Sequence, residues 1–333
     1  MGTKEQVLTL FENNKGKYFS GEYIAENLSV SRNAVWKAVK SLRNEGYNID
    51  AIQNKGYCLA VETDILSVQG IQKYLNPICK NMELNVIPTL NSTNTLVREK
   101  AASGVTEGFV VIANNQTNGK GRSGRKFFSP TDTGVYMSLL LRPPYCSAKQ
   151  AAKLTTMAAV AACEAIEEVS GEKAQIKWVN DIFVAGKKVS GILTEASFGL
   201  EDGYLEYAVL GIGINVFPPR DGFPDELEKI AGAVFREAQN DGKNHLAAEF
   251  LNHFMEYYTI QDKTKYVENY RKRSLVIGKE IQVIFSDYKK NAVALDIDDE
   301  CHLIVKYEDG NVESLSSGEI RIKLTDGKQE NAK

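Results

Sequence analysis

The chain is poor in the residues from which metal and redox sites are built. Its three histidines are scattered, and its five cysteines, at 58, 79, 146, 163 and 301, form no C-x-x-C pair. Those spacings argue against a disulfide framework and against a zinc site. No apolar run reaches the about 18 residues that cross a bilayer. The start, Met1-Gly2-Thr3-Lys4-Glu5-Gln6, lacks a signal-peptide apolar core. The expectation is a cytoplasmic protein with no membrane partner. A net charge of −3 excludes a chain that coats nucleic acid indiscriminately. There is no internal repeat, no low-complexity tract and no G-x-x-x-x-G-K-[ST] P-loop. At 333 residues and 43% apolar content, the chain can bury a real core divided among two or three domains.

Glycine and fixed positive charge, by contrast, are concentrated in one place. Gly119-Lys120-Gly121-Arg122-Ser123-Gly124-Arg125 follows the apolar run Phe109-Val110-Val111-Ile112-Ala113. Glycines let backbone approach a ligand closely, and the cations beside them favour phosphate or carboxylate. The segment reads as a mobile loop closing over phosphate, or as a solvated basic turn. Its Gly119-x-Gly121-x-x-Gly124 pattern also fits a dinucleotide fingerprint, which needs a helix opening inside it. Lys126-Phe127-Phe128-Ser129-Pro130-Thr131-Asp132 supplies turn formers instead, so that reading is set aside.

The first sixty residues have a different character. Amphipathic segments beginning at Val7 and at Gly21 precede a helix expected over residues 32–44, with Ser31 as its N-cap. Val35, Val39 and Leu42 fall on its inward side, whereas Arg32, Asn33, Lys37 and Lys40 point outward. Trp36 is expected in the core. Tyr47 to Ile52 and Tyr57 to Leu59 flank a turn cluster that includes Lys55, which reads as the wing of a winged helix-turn-helix. Residues 1–60 hold eight Lys and Arg against six Asp and Glu, the right sign for DNA. A helical protein-interaction domain is the alternative.

Beyond Asp64, expected to cap a helix over 65–75, strands and helices alternate. Asn91-Ser92-Thr93-Asn94 opens a helix running to Lys100, a start capped by Ser92 or Thr93 and suited to an anion. A buried strand is expected over 134–141 and a close-packed helix over 148–169. Two apolar strands spanning 175–193 meet at Ala185-Gly186-Lys187 and carry Lys177, Asn180, Asp181 and Lys188. Such polar groups need partners or a ligand. The strand 207–216 holds Gly211 and Gly213, which invite close approach by a ligand or by backbone.

Taken in order, Ser92-Thr93-Asn94, the segment from Gln116 through Arg125, Lys177-Trp178-Val179-Asn180-Asp181, Lys187-Lys188-Val189-Ser190-Gly191-Ile192-Leu193 and Gly211-Ile212-Gly213-Ile214-Asn215 closely resemble the biotin–protein ligases in the bifunctional form that also represses the biotin operon. With the flanking modules, the resemblance covers nearly the whole chain. It implies an α+β architecture: a winged helix-turn-helix over 1–62, a central mixed α/β ligase domain over 63–270 and an SH3-like β-barrel over 271–325, with a disordered tail over 326–333. The barrel would be either functional or a stabilising appendage.

The resemblance further implies that Ser92, Thr93, Asn94, Gln116, Gly119, Lys120, Gly121, Arg122, Lys188 and Gly191 line the biotin and adenylate site, with Lys188 and Arg122 catalytic. It implies nucleotide contacts from Arg125, Lys177, Asn180, Asp181 and Asn215, and DNA contacts from Ser31, Arg32, Asn33, Lys37, Lys40 and Lys55. Substrates would be biotin and ATP with Mg2+, for which no protein ligand set is readable. Partners would be a biotin carboxyl carrier protein and, in a homodimer formed around the corepressor biotinyl-5′-AMP, operator DNA. Three positions depart from the family pattern: Lys120 stands for Arg, Val179 for Pro and Phe127 for Trp. A lipoate ligase, a biotin-sensing repressor without ligase chemistry and a ligase without DNA binding are the competing readings.

Overall fold

A computed structural model describes residues 1–199, 203–237, 239–260, 264–285 and 288–323 of the chain. The expected tail over 326–333 lies outside the described residues.

Three helices open the chain: α1 (Thr3–Glu12), α2 (Gly21–Asn27) and α3 (Arg32–Asn44). The hydroxyls of Ser20 and Ser31 accept the N–H groups of Tyr23 and Ala34, satisfying donors that a helix start leaves free. Val35, Ala38, Val39 and Leu42 of α3 pack on Val7, Phe11 and Ile24. Strands β1 (Ile49–Ile52) and β2 (Gly56–Leu59) pair antiparallel, forming the hairpin read as a wing. Gly56 takes φ +97°, and a Cβ there would sit 2.1 Å from the Phe19 carbonyl oxygen. Only glycine fits.

Two expectations fail here. Trp36 is not core but half-exposed, because each residue turns the helix by about 100° and the step from Val35 carries it off the buried stripe. Asp64 caps no helix. Helix α4 is short (Val68–Gln72) and is capped by Ser67, whereas Asp64 accepts the Lys243 N–H at 3.0 Å.

The middle of the chain runs β3 (Glu83–Leu90), α5 (Thr93–Ala102), β4 (Phe109–Gln116), β5 (Gly134–Leu141), α6 (Ala148–Ser170), β6 (Ala174–Lys177), β7 (Asp181–Val184), β8 (Lys187–Phe198), β9 (Leu205–Asn215), α7 (Asp225–Glu228), α8 (Gly242–Thr259) and α9 (Thr264–Lys272). The strands form one seven-stranded sheet in the order β3-β4-β5-β9-β8-β7-β6, parallel only between β3 and β4. Alternation along β4 sends Val110 and Ile112 into the core with α6 and α8, and Phe109 and Val111 toward α5. Strand β5, covered on both faces, is buried throughout. The first of the two strands expected over 175–193 is itself divided. The chain reverses at 178–180, Lys177 faces Asp181 across the β6–β7 hairpin, and the Trp178–Val179 peptide is cis.

The C-terminal strands β10 (Glu280–Ile284), β11 (Lys289–Ile297), β12 (Leu303–Tyr307), β13 (Val312–Leu315) and β14 (Glu319–Ile322) form an antiparallel sheet in the order β13-β12-β11-β10-β14. Among the described residues β13 and β14 are its edges and do not pair with each other. The structure therefore shows a five-stranded sheet rather than a closed barrel.

A charge cluster ties the N-terminal helices to the central sheet. Lys15 lies 3.3 Å from the Glu12 carboxylate and 3.0 Å from that of Asp241, the residue preceding α8. Lys73 lies 2.9 Å from Glu12 and also pairs with Asp241. Tyr74 donates its hydroxyl to Asp241 at 2.9 Å and Asn244 its amide at 2.8 Å. None of the four charged side chains exceeds 11% exposure.

Candidate active site and nucleic-acid face

The α5 face of the sheet carries a trough made by missing side chains. Gly213 lies between Tyr136 on β5 and Gly191 on β8, and Gly211 lies between Ser138 and Leu193. A Cβ on Gly211 would fall 2.0 Å from Asn94 Oδ1, and one on Gly213 would fall 2.5 Å from the Phe127 ring. The trough admits nothing larger than glycine at either point. Ser92, Thr93, Asn94, Gln116, Lys120 and Gly191 line it together with Phe127, Leu193, Gly211, Ile212 and Gly213, around a cavity of about 20 Å³. That is room for about one water molecule. The Phe127 ring, lying over Gly191 and Gly213, occupies the rest.

A polar network anchors one end. Ser138, fully buried on β5, donates its hydroxyl proton toward Thr93 Oγ1 at 2.7 Å and Asn94 Oδ1 at 2.6 Å. The Thr93 N–H and hydroxyl reach Gln116 Oε1 at 2.8 and 3.1 Å, and the Gln116 amide continues to Ser129. Asn94 donates to Glu195 at 2.8 Å, which also holds Arg98 at 3.0 Å. Ser92 precedes α5 without a side-chain cap hydrogen bond, and Thr93 is its first residue, so neither hydroxyl caps the helix as expected. The first free N–H of α5 is bound by a glutamine from β4 instead.

The other end is cationic. The loop after β4 folds back on itself: Gly121 N–H donates to the Arg125 carbonyl at 2.7 Å and Phe127 N–H to the Gly119 carbonyl at 2.9 Å. Gly119 is pinned, because a Cβ there would lie 2.5 Å from the Phe127 carbonyl oxygen. Arg122 donates to Asn180 Oδ1 at 2.8 Å and to the Gly318 carbonyl at 3.2 Å, and Arg125 pairs with Glu319. Asn180 donates in turn to the Ile192 carbonyl at 2.8 Å. Lys188 reaches Asp181 at 2.6 Å, with its ammonium beside Gly191. Burial is the largest influence on Lys177 and holds its ammonium below the usual lysine range, opposed by Asp181 and reinforced by Lys188.

The chain thus brings Arg122, Arg125, Lys177, Asn180, Asp181 and Lys188 to one rim of the trough. Asn215 stands apart at the end of β9, donating to the Gly232 carbonyl at 3.0 Å. Reading the sequence missed Ser138, Ser129, Glu195 and the turn at Gly318-Glu319. Ser138 alone left a signal, as the one serine in the apolar run 135–141. The contacts from 318 and 319 arise from tertiary folding across about two hundred residues and leave no local pattern.

A separate surface lies on α3. Ser31, Arg32, Asn33, Lys37 and Lys40 are exposed together with Trp36, and Lys55 is exposed on the β1–β2 turn. The Ser31 hydroxyl is engaged as the cap of α3. Lys40 Nζ lies 5.1 Å from the Trp36 ring centre, and Lys55 Nζ lies 5.7 Å from that of Tyr18.

Comparison with known proteins places these two surfaces in one lineage. Residues 3–58 match the family profile described as HTH domain, residues 86–215 that of the Biotin/lipoate A/B protein ligase family, and residues 276–323 that of the Biotin protein ligase C terminal domain. The bifunctional ligase/repressor BirA of Bacillus subtilis (strain 168) is 33% identical over 324 residues, covering 96% of this chain and 98% of its own length. The chain belongs to the bifunctional biotin ligase/repressor family. The Escherichia coli (strain K12) member of that family is 27% identical over 312 residues, covering 92% of this chain and 94% of its own. Among solved structures, a biotin protein ligase from Aquifex aeolicus in complex with biotin and ATP has the same fold, with a TM-score of 0.60 and 23% identity over 72% of this chain and 98% of that one. Among the described residues, no helix is long and apolar enough to cross a membrane.

Proposed function

We propose that this protein is an ATP-dependent biotin–protein ligase that also represses transcription when it carries biotinyl-5′-AMP. The observation that carries the reading is one juxtaposition: a glycine-floored trough abuts a rim of four cations, two of them paired with the carboxylates of Glu319 and Asp181 and Arg122 held only by neutral oxygens.

Hydroxide is a poor leaving group, so a carboxylic acid does not acylate an amine at neutral pH. In the first step the biotin carboxylate oxygen bonds to the α-phosphorus of ATP, and the bond to pyrophosphate breaks. Two anions meet, and the pentavalent phosphorus gathers further negative charge. Lys188 and Arg122 are positioned to offset both, as fixed donors do in phosphoryl transfer. Asp181 and Asn180 hold those cations while the site is empty of anion, and an incoming carboxylate or phosphate competes for them. In the second step an acceptor lysine amine attacks the acyl carbon, AMP departs and the nitrogen loses a proton. No covalent enzyme intermediate is needed. The ureido ring of the vitamin would lie in the trough against Ser92, Thr93 and Gln116. The Phe127 ring has to shift to admit it, so the loop 119–127 moves during each turnover and shelters the water-sensitive adenylate.

Asp181 and Glu319, the acidic groups at this rim, are already engaged by Lys188 and Arg125. The rim therefore fits a Mg2+ ion carried on the triphosphate rather than caged by protein, and the ion would neutralise the departing pyrophosphate. The C-terminal sheet is read as SH3-like, and its turn at Gly318-Glu319 as a brace for the loop. The divisions 1–62, 63–270 and 271–325 are kept as the three units.

For repression, an adenylate-ordered loop would complete a dimer surface that spaces two copies of α3 for a palindromic operator. Incubation with ATP, Mg2+, biotin and a biotin carboxyl carrier domain should raise the mass of the acceptor by one biotinyl group. An unchanged mass, with the acceptor shown competent by another ligase, would reject the enzymatic reading. Equal operator affinity with and without adenylate, at one salt concentration, would reject the switch.

A further inference from the structure

The outer side of α3 presents an apolar group where only polar ones serve solubility. Trp36 is 50% exposed, whereas Trp178, the other tryptophan, is 4% exposed. It stands at the middle of a stripe formed by Arg32, Trp36 and Lys40, one helical turn apart from each, with Asn33 and Lys37 alongside. Lys40 lies over the indole at 5.1 Å from its centre, which holds the ring while half of the side chain stays exposed.

Charge complementarity selects the occupant. Arg32, Lys37 and Lys40 lie exposed on the helix beside Trp36, and Lys55 is exposed on the wing, a set of charges that matches a phosphate backbone. Contacts from those cations to phosphate read no sequence, because phosphates are the same at every base pair. An indole offers a single N–H donor and a broad apolar ring, so most of the surface it can bury in the groove is apolar. The apolar feature that the groove offers is the thymine C5 methyl. Trp36 is the fifth residue of α3, within the part of a recognition helix that reaches base edges. We infer that Trp36 is a sequence-reading residue that packs on a thymine methyl, with Lys40 holding the indole in place.

The inference rests on the operator-binding reading, and its test separates the two. The full chain, loaded with biotin, ATP and Mg2+, selects duplexes from a random library. The enriched duplex is then compared with versions carrying deoxyuridine for each thymine in turn, and with a scrambled duplex, for the wild type, Trp36→Ala and Lys37→Ala. One thymine-to-uracil change should weaken the wild type about fourfold, the worth of one buried methyl, and leave Trp36→Ala unmoved. Both proteins should bind the scrambled duplex alike. Lys37→Ala should weaken every duplex by one factor and lower the salt slope by about one. Biotin transfer to the acceptor should be unchanged in Trp36→Ala, which shows that the variant folds.

Enrichment followed by no uracil effect in the wild type overturns the thymine contact while sparing operator binding. A uracil effect that persists in Trp36→Ala does the same, and assigns the methyl to another residue. Failure of the wild type to enrich any duplex removes both readings.

Discussion

Where the N-terminal helices meet the start of α8, two lysines and two carboxylates are buried and matched in charge, although among the described residues Glu12 Oε1 accepts no hydrogen bond. At the rim of the trough, Arg122, Arg125, Lys177 and Lys188 stand against only Asp181 and Glu319, which pair with Lys188 and Arg125, and none of the four cations is fully buried. Burial alone would push each group in the first cluster toward its neutral form. It pulls the Lys73 ammonium down, yet the hydrogen bonds that it donates to Asp241 and Glu12 outweigh it and raise the group above the usual lysine range. It pushes the Asp241 carboxyl up, yet Lys73, Lys15 and Asn244 bring it below the usual carboxylate range. At the rim the balance reverses, and Lys177 is held down by burial with too little negative charge nearby. A cluster with its charges matched fixes one domain on another. A cluster with positive charge to spare waits for an anion.

Removing one partner from the matched cluster should therefore have the largest effect on stability. Asp241→Ala leaves Lys15 and Lys73 to share Glu12 alone, and breaking buried pairs in this way costs about 3–5 kcal/mol. Denaturant unfolding at pH 7 reads it directly. A loss under 1 kcal/mol would mean that water already reaches those lysines.

The rim should behave in the opposite way. Lys188→Ala should lower biotin-dependent pyrophosphate exchange by about 10²–10³, the cost of one charge-stabilising donor, while the unfolding midpoint stays within about 0.5 kcal/mol, as for an ordinary surface change. If stability falls as far as activity, the rim is structural and the distinction between the clusters disappears.

This contrast also marks what could be read in advance. The helix-turn-helix was legible because Ser31 and the 35, 39, 42 spacing are local signals, and the structure retains both. The rim was legible because Arg122, Lys177, Asn180, Asp181 and Lys188 are polar residues set in apolar or glycine-rich segments. The junction cluster was not. Glu12, Lys15, Lys73 and Asp241 are ordinary surface types in sequence, and only a fold that joins position 12 to position 241 reveals them as buried. Trp36 was misread for the opposite reason: an aromatic near an apolar stripe was counted with it, although helical phase placed it outside. Asn215 lay within a segment of the family motif, yet its side chain turns to Gly232 and away from the trough lining.

Asp64 sharpens the comparison, because it sits near the junction cluster without a full set of partners. Burial, its largest influence, pushes the carboxyl up to about 6, against the opposing pull of Lys243. Among the described residues its Oδ2 accepts no hydrogen bond. A folded-state value above the unfolded one of about 4 means that the native protein binds this proton more tightly. The stabilisation it provides is complete below about pH 4 and is lost as pH rises through about 6. Asp64→Asn keeps an acceptor for the Lys243 N–H and removes the charge. The variant should exceed the wild type by about 1–2 kcal/mol at pH 8, less than full linkage would give because the group is only partly buried. At pH 4 the two should unfold at nearly the same denaturant concentration. A gain that is the same at both pH values would assign the effect to packing rather than to the proton.

The smallest effect belongs to the pair that joins the loop to the C-terminal sheet. The Arg125 side chain is 63% exposed and that of Glu319 is 35% exposed. Such pairs contribute about 0–1 kcal/mol. Glu319→Gln should therefore shift the unfolding midpoint slightly at low salt and not at all near 1 M, where the screening length falls to about 3 Å. The Asp241→Ala loss, set inside the protein where ions do not enter, should persist at both concentrations. Arg125, released from its carboxylate, would then be free for phosphate, so the same variant should bind ATP no more weakly than the wild type. Weaker ATP binding that salt does not relieve would show instead that Glu319 orients Arg125, making the C-terminal turn part of the site rather than a brace beside it.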